Sequence, residues 1–473
     1  KRVHCMKITT RTIDTMEFQQ LNAPITTVFP GNTYESRIAR AIKMGKQAGY
    51  SHLVIYGDRE HFANIHYFTG FDPRFEEALL ILSEGNKPLL LVGNEGLSYS
   101  RLIPFELDIT LFQSFSLVGQ PRSKDTSRVL GEAYEKVGIG TNSKVGVIGW
   151  KYFSDSEGID ATHIFDVPHF IVESLKTRTE GRNLENATKL LIGAEEGMRT
   201  DLDVDELAVL ELAGTKTSRS VLNMLMNLRP GISEIEASTF LHIDGNPLVA
   251  HPNINFTAEG ILQGLVSPGT HELEYGSVCN VGFGYRSSMV ARTGLYTSRV
   301  EDIKKKEFQA VWDKVFVPYF KILVLWYESV AIGVSGRHVV EKIKKEVPEF
   351  EQLGIGLNPG HLIHNDEWTN SLFVSDKDIH LRSGMAIQCD IIANPEGLPG
   401  VHVEDGLALA DVGLRAAFKN KYPEAWARIE RRRQVMTDVL GFKISDDLLP
   451  FSDIQGMLFP WMADLRTVMA VDR

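Results

Sequence analysis

The sequence predicts a two-domain chain that joins a small α/β domain to an α+β domain. Three observations predict it. At 473 residues the chain exceeds what one ordinary hydrophobic core serves and suits two domains. Across residues 31–180 short apolar runs alternate with helical patterns, which implies strands layered with helices. Across residues 203–412 one long helix and a second capped helix lead into strands, a further helical stretch and a last strand pair, and the α+β class of this part is what the resemblance given below implies. An arm at 1–30, a connection at 181–202 and a helical extension at 413–473 complete the expected organisation.

Each element rests on local signals. Residues 1–30 have weak periodicity and are expected to form an arm or lid. Ile38, Ala41, Ile42 and Met44 recur at helical spacing, which predicts a helix over Tyr34–Gly49. His52–Tyr56 reads as a strand. The segment FTGFDPRFEEALLILSEGNKPLLLV reads as a loop and two strands joined through Ser83–Lys87. Asp125–Val137 is helical, Val145–Trp150 is a short strand, and Ile171–Lys176 starts another helix. Residues 181–202 are polar and glycine-punctuated, as a connection would be. One long helix is expected over Asp203–Leu228, with Asp203 and Asp205 suited to its N-terminus. Ser233 and Glu236 form a capping box for the next helix. VAHPNINF and GSVCNVGFGYRSSMVARTGLY read as strands, and Glu301–Val347 as largely helical with breaks at Pro318 and Gly333. Residues 415–473 read as helix and aromatic loop, expected to pack on the body or on a neighbouring subunit.

Composition narrows the function. A net charge of −11 argues against a general nucleic-acid binder, and Arg431-Arg432-Arg433 reads as a solvated helix face. No apolar run reaches the ~18–20 residues of a membrane span, and the first residues lack a signal-peptide core. Three cysteines without a CxxC pair fit a reducing, cytoplasmic compartment. Cys279 and Cys389 fall in strands and read as small core residues. No dinucleotide fingerprint, Walker loop or nucleophile elbow is present.

The stretch richest in chemistry is SGMAIQCDIIANPEGLPGVHVEDGLALAD, residues 383–411. It reads as two strands around a turn-forming loop. Strand alternation puts Gln388 and Asp390 on one face, and His402 and Glu404 on one face. A pair of strands otherwise fit for burial then presents Asp390 and Glu404 inward, where ionised carboxylates need partners. Outside this stretch, GIGLNPGHLIHNDEW supplies a histidine pair, His361 and His364, beside Asp366, Glu367 and Trp368.

GMAIQCDIIA and VHVEDGLAL resemble the last two metal-bearing strands of the creatinase/prolidase/methionine-aminopeptidase superfamily, the pita-bread hydrolases. PEGLPG between them is specifically creatinase-like. NIHYFTGFDPRFEEALLIL is similar to the N-terminal domain of creatinases and aminopeptidases P, and the resemblance spans about residues 35–412. It implies a ribonuclease-H-like, creatinase-type N-terminal α/β domain and a C-terminal pita-bread α+β domain. It also implies a homodimer in which Phe71–Phe75, including Phe71 and Arg74, borders the partner's site.

The family's two-ion site uses two aspartates, a histidine and two acids. By resemblance Asp390 and Glu404 hold the two late acid positions. His361 is the preferred histidine, because NDEW follows it at nearly the family's distance; a competing alignment puts Leu353 there. The two aspartate positions fall on Gly282 and Met289, whose side chains cannot hold a hard cation. No cofactor is therefore expected, although one ion on His361, Asp390 and Glu404 stays open. Creatinase offers a metal-free route by a histidine acid–base, but its histidine falls near Leu265 and one of its acids on Ala291. The base must then come from His251, His361 or His364. Glu404 and Asp390 complete the expected catalytic set. Arg292, Glu367, Trp368, His402, Phe71 and Arg74 are the expected substrate-binding residues, with Arg292 alternatively paired to Glu404 or Asp405. The leading expectation is a metal-independent hydrolase of a C–N bond in a small nitrogenous molecule. The alternatives are an Xaa-Pro-type metallopeptidase with an altered site and an inactive peptide-binding homologue.

Overall fold

The computed structural model describes residues 6–13, 21–25, 28–122, 125–179, 181, 183–257, 264–303 and 305–472. Cys5 and just under half of the expected arm lie outside them. The chain divides into two compact units, residues 26–199 and residues 1–25 with 200–473.

The N-terminal stretch is not a separate arm where it is described. β1 (Lys7–Thr12) pairs antiparallel with the last strand of the chain, Thr467–Asp472. The two ends of the chain thereby close one unit. Weak periodicity hid this strand, because only its two-strand ribbon partner specifies it.

The 26–199 unit is a six-stranded sheet. Its strands are β2 (His52–Gly57), β3 (Ala78–Ser83), β4 (Leu89–Val92), β5 (Asp108–Leu111), β6 (Val145–Ile148) and β7 (Leu184–Asn186), in spatial order β5-β4-β3-β2-β6-β7. β2, β3, β4 and β6 are buried at every position, so both faces are covered and their sequences run apolar without alternation. The Gly31–Gln47 helix packs Ile38 and Ala41 onto one face with Leu53, Ile55 and Phe68. The Thr126–Val137 and His169–Thr179 helices cover the other. β7 lies inside the expected connection. It pairs parallel with β6, so that segment finishes the sheet and is no linker.

The larger unit is built on a seven-stranded sheet. β8 (Asn253–Thr257), β9 (Val278–Phe283), β10 (Val290–Leu295), β11 (His361–Leu362), β12 (Ala386–Ala393) and β13 (Val401–Leu409) take the order β11-β12-β13-β10-β9-β8. β14 (Leu448–Pro450) adds to β13 beyond the end of β10, and β15 is Thr467–Asp472. The long helix is Val204–Met226. Asp203 caps it, accepting from the Asp205 and Glu206 amides while Glu206 reaches back to the Asp203 amide. Ser233 and Glu236 make the second capping box as expected.

The arginine triplet is a solvated face only in part: Arg431 is exposed, but the other two turn inward. Arg432 is buried, bonded at 2.6 Å to Glu211 and 2.7 Å to Asp453, and Arg219 also reaches Asp453 at 2.7 Å. Buried charges persist only when paired, and this network fastens the Pro423–Gln434 helix to the long helix. Cys279 and Cys389 are buried. No helix among the described residues is long and apolar enough to cross a membrane.

Candidate active site

Register decides which side chains meet. Asn253 pairs with Gly282, Gly282 with Ala291, Ala291 with Glu404 and Glu404 with Asp390. These five positions form one line across five strands. Two residues along, Asn255, Asn280, Thr293, His402 and Ile392 form a second line. On the other side Gln388 pairs with Gly406 and with His361. Directly opposed residues share a face, as do alternate residues of one strand. Asp390, Glu404, His402, His361 and Gln388 therefore converge.

The distances bear this out. His402 Nε2 lies 2.8 Å from Asp390 Oδ1 and 3.8 Å from Glu404 Oε2. Gln388 Nε2 donates to Glu404 Oε1 at 3.1 Å and to the Met289 carbonyl at 2.9 Å. His361 Nε2 lies 3.0 Å from Glu367 Oε1 and 3.8 Å from Asp390 Oδ2. The approach to Glu367 lacks hydrogen-bond alignment, leaving this buried nitrogen without a proper partner. The other ring nitrogen, Nδ1, faces the Leu362 carbonyl at 3.2 Å. A carbonyl only accepts, so Nδ1 carries a proton and Nε2 is the atom that gains or loses one. Trp368 stacks on His361 with ring centroids 4.1 Å apart and walls the cluster while keeping 40% of its own surface exposed.

Three carboxylates share this space, and burial sorts their charges. Glu404 is pushed well above the usual carboxylate range by burial and then by the charges of Asp390 and Glu367, so it holds its proton. Burial also opposes charge on Asp390, but His402 and His361 outweigh it and keep Asp390 below the usual value. Burial works against a charged His361 as well; Glu367 and Asp390 overcome it and raise its pKa above the ordinary 6.5. A neutral acid, an ionised acid and a histidine with one free nitrogen sit together, as acid–base chemistry requires.

Other expected site residues are placed elsewhere. His364 turns to the start of the long helix, with Nε2 at 3.2 Å from Glu206 Oε1; it is not among the groups gathered around Asp390 and Glu404. His251 is exposed, two residues before β8, and enters none of these contacts. Arg292 is corrected from substrate binding to structure. It pairs with Val403, which places it on the opposite face from Glu404. There it makes two bonds to Asp405, at 2.9 and 2.7 Å, and is 1% exposed. The Val317–Ser329 helix covers that face, with Tyr319 donating to the Ile391 carbonyl. Phe71 is buried in the core of the smaller unit against Tyr99, so it cannot line a pocket. Arg74 is exposed in a left-handed turn (φ 60°), with its guanidinium over Tyr99.

Sequence reasoning missed the amides. Asn253, Asn255, Asn280 and Thr293 lie on the site face. Asn at alternate positions of NINFT was the available signal; the lateral match to Asn280 and Thr293 needs the register.

The two-ion expectation of the family can be tested on this geometry. A Cβ added at Gly282 would lie 3.2 Å from Met289 Cε. One thioether thus occupies the space where both bridging aspartates would project, and a two-ion centre does not fit. One-ion donor sets remain: His361, Glu367 and Glu404, or Asp390, His402 and Glu404, each with ligand atoms within 4.8 Å of one another.

No protein-family model and no curated protein matches the chain by sequence. Solved structures do match by fold. The prolidase from Pyrococcus horikoshii OT3 superposes with a TM-score of 0.61 at 14% identity, covering 79% of this chain and 95% of that one. The dipeptidase PepE from Mycobacterium ulcerans gives 0.62 at 16%, with coverage of 81% and 95%. Zinc-substituted E. coli aminopeptidase P in complex with product gives 0.56 at 16%, with coverage of 85% and 98%. The chain therefore has the fold of these prolidase, dipeptidase and aminopeptidase P structures.

Proposed function

We propose that this chain is a hydrolase of the Xaa-Pro peptidase type with an altered metal site, cleaving a C–N amide bond in a small peptide-like substrate. One observation carries the reading: buried His361, Asp390 and Glu404 meet half-buried His402 and Glu367 within 2.8–3.8 Å contacts. Three carboxyl groups are not gathered beside two histidines for stability, since each that ionises there costs desolvation and repels the others. The peptidase names of the structural neighbours support a peptide bond as substrate over the amidine of a creatinase. They give no support to the metal-independent reading.

The residues fit a single divalent ion held by Glu404 with His361 and Glu367, or with Asp390 and His402. Such an ion supplies Lewis-acid polarisation and a water of lowered pKa. With no ion bound, Glu404 would keep its proton and could donate a hydrogen bond toward the reacting carbonyl; as a ligand it would be ionised. With the ion on Asp390, His402 and Glu404, His361 Nε2 would stay free to take up and return the proton that the leaving nitrogen needs. Asp390 holds His402 in orientation through the 2.8 Å bond. Trp368 shields one side of the cluster from water.

The loss of both aspartate positions favours a second reading, metal-free cleavage with His361 alone as acid–base. The deciding experiment incubates the purified protein with Xaa-Pro dipeptides and with creatine, each with and without chelator. Dipeptide cleavage abolished by chelator and restored by one equivalent of a divalent ion supports the first reading. Chelator-resistant cleavage supports the second. No cleavage of either refutes both.

A further inference from the structure

Four of the five residues in the second line of the site face are polar, and of these only His402 enters the chemistry above. Asn255, Asn280, Thr293 and His402 stand side by side on β8, β9, β10 and β13. Thr293 Oγ1 donates to Asn280 Oδ1 at 2.6 Å. Asn255 is 2% exposed, and neither its Nδ2 nor its Oδ1 has a hydrogen-bond partner. Asn253 Oδ1 and Gln388 Oε1, also buried on this face, are unpartnered as well. Buried polar atoms are nearly always satisfied, so several orphans on one face mark groups meant for a ligand. The adjacent line is different, because Gly282 and Ala291 are apolar and Met289 lies over Gly282.

We propose that the Asn255–Asn280–Thr293 row is a peptide-binding subsite that holds the substrate backbone as it leaves the reacting centre at Glu404 and His402. A side-chain amide offers one acceptor and two donors, which is the complement of a neutral peptide group and not of a phosphate or a cation. From β13 to β8 there are three inter-strand steps, about 14 Å in all, and an extended residue advances about 3.3 Å. The row therefore spans roughly four residues, so the preferred substrate is a short oligopeptide longer than a dipeptide. This inference rests on the peptide reading above for the substrate class but not on the catalytic step.

Equilibrium dialysis of the full-length protein with Ala-Pro, Ala-Pro-Ala and Ala-Pro-Ala-Ala tests it, with products followed by mass spectrometry. The wild-type protein is expected to bind the tetrapeptide at least tenfold more tightly than the dipeptide. Asn255→Leu and Asn255→Ala, both at the far end of the row from His402, are expected to remove that advantage and leave dipeptide binding unchanged. A melting curve for each variant checks folding; Asn255→Leu, which replaces an unpartnered amide by an apolar side chain of similar size, should melt no lower than the wild type. Equal affinity for all three peptides, or length-dependent affinity that survives both substitutions, overturns the subsite. If peptides bind in this length-dependent way but none is cleaved, the subsite stands and the hydrolase reading fails. If only the dipeptide binds and is cleaved, the reverse holds.

Discussion

Glu404→Gln is expected to stabilise the protein at alkaline pH and to abolish hydrolysis. In the folded chain the Glu404 carboxyl keeps its proton well above 4.5, because burial and the neighbouring Asp390 and Glu367 oppose its charge. In the unfolded chain it ionises near 4.5. Between those two values the folded state binds one more proton than the unfolded state, so stability falls as pH rises. The slope for one proton is about 1.4 kcal/mol per pH unit. Glutamine keeps an oxygen for the Gln388 donor, now at 3.1 Å, and has no charge to bury. The difference in stability between variant and wild type should therefore grow by that slope until the folded pKa is reached. At about 2 °C per kcal/mol for a domain of this size, the Tm gap should widen by about 3 °C per pH unit. Melting curves of both proteins in chelator, from pH 5 to 8.5, read it directly. Cleavage by the variant should fall by about 10²–10⁴-fold, the loss usual for an acid–base group. A Tm gap that stays constant across this range would mean that Glu404 is charged or hydrated when folded, and the charge sorting proposed for the site would fail.

Four further outcomes are expected. His361→Ala should lower kcat by about 10²–10⁴-fold, whereas His364→Ala, which loses the Glu206 contact, should chiefly lower Tm; equal loss of kcat in both would undo the assignment. Metal analysis after dialysis against zinc or manganese should give no more than one ion per chain, and Gly282→Asp with Met289→Asp together should raise that number; two ions in the wild-type protein would contradict the geometry around Met289. Arg292→Met leaves Asp405 buried without its partner and should cost roughly 3–5 kcal/mol, seen in urea unfolding, with KM unchanged in the folded fraction. Light scattering should give a mass near twice 52.9 kDa if the expected homodimer forms, and Phe75→Ala at the exposed tip beside Arg74 should weaken it; a monomer mass at micromolar concentration removes the dimer.

Much of this protein was determined by local chemistry. The helix starts at Asp203 and Ser233 were legible because a capping box is written in four consecutive residues. The β12–β13 pair, and the sharing of a face by Asp390 with Gln388 and by Glu404 with His402, followed from strand alternation alone. Gly282 and Met289 could be read as the loss of two ligands from their residue types. Tertiary structure decided what lies sideways across strands or far along the chain. Arg292 sits next to Ala291, yet one residue of register sends it to the opposite face, to Asp405 and away from substrate. His361 and His364 are alike in sequence, and only packing sends one to Glu367 and the other to Glu206. Arg432 looked solvated because its acids, Glu211 and Asp453, belong to distant segments. The amide row was invisible for the same reason: Asn255, Asn280 and Thr293 become neighbours only when β8, β9 and β10 are in register.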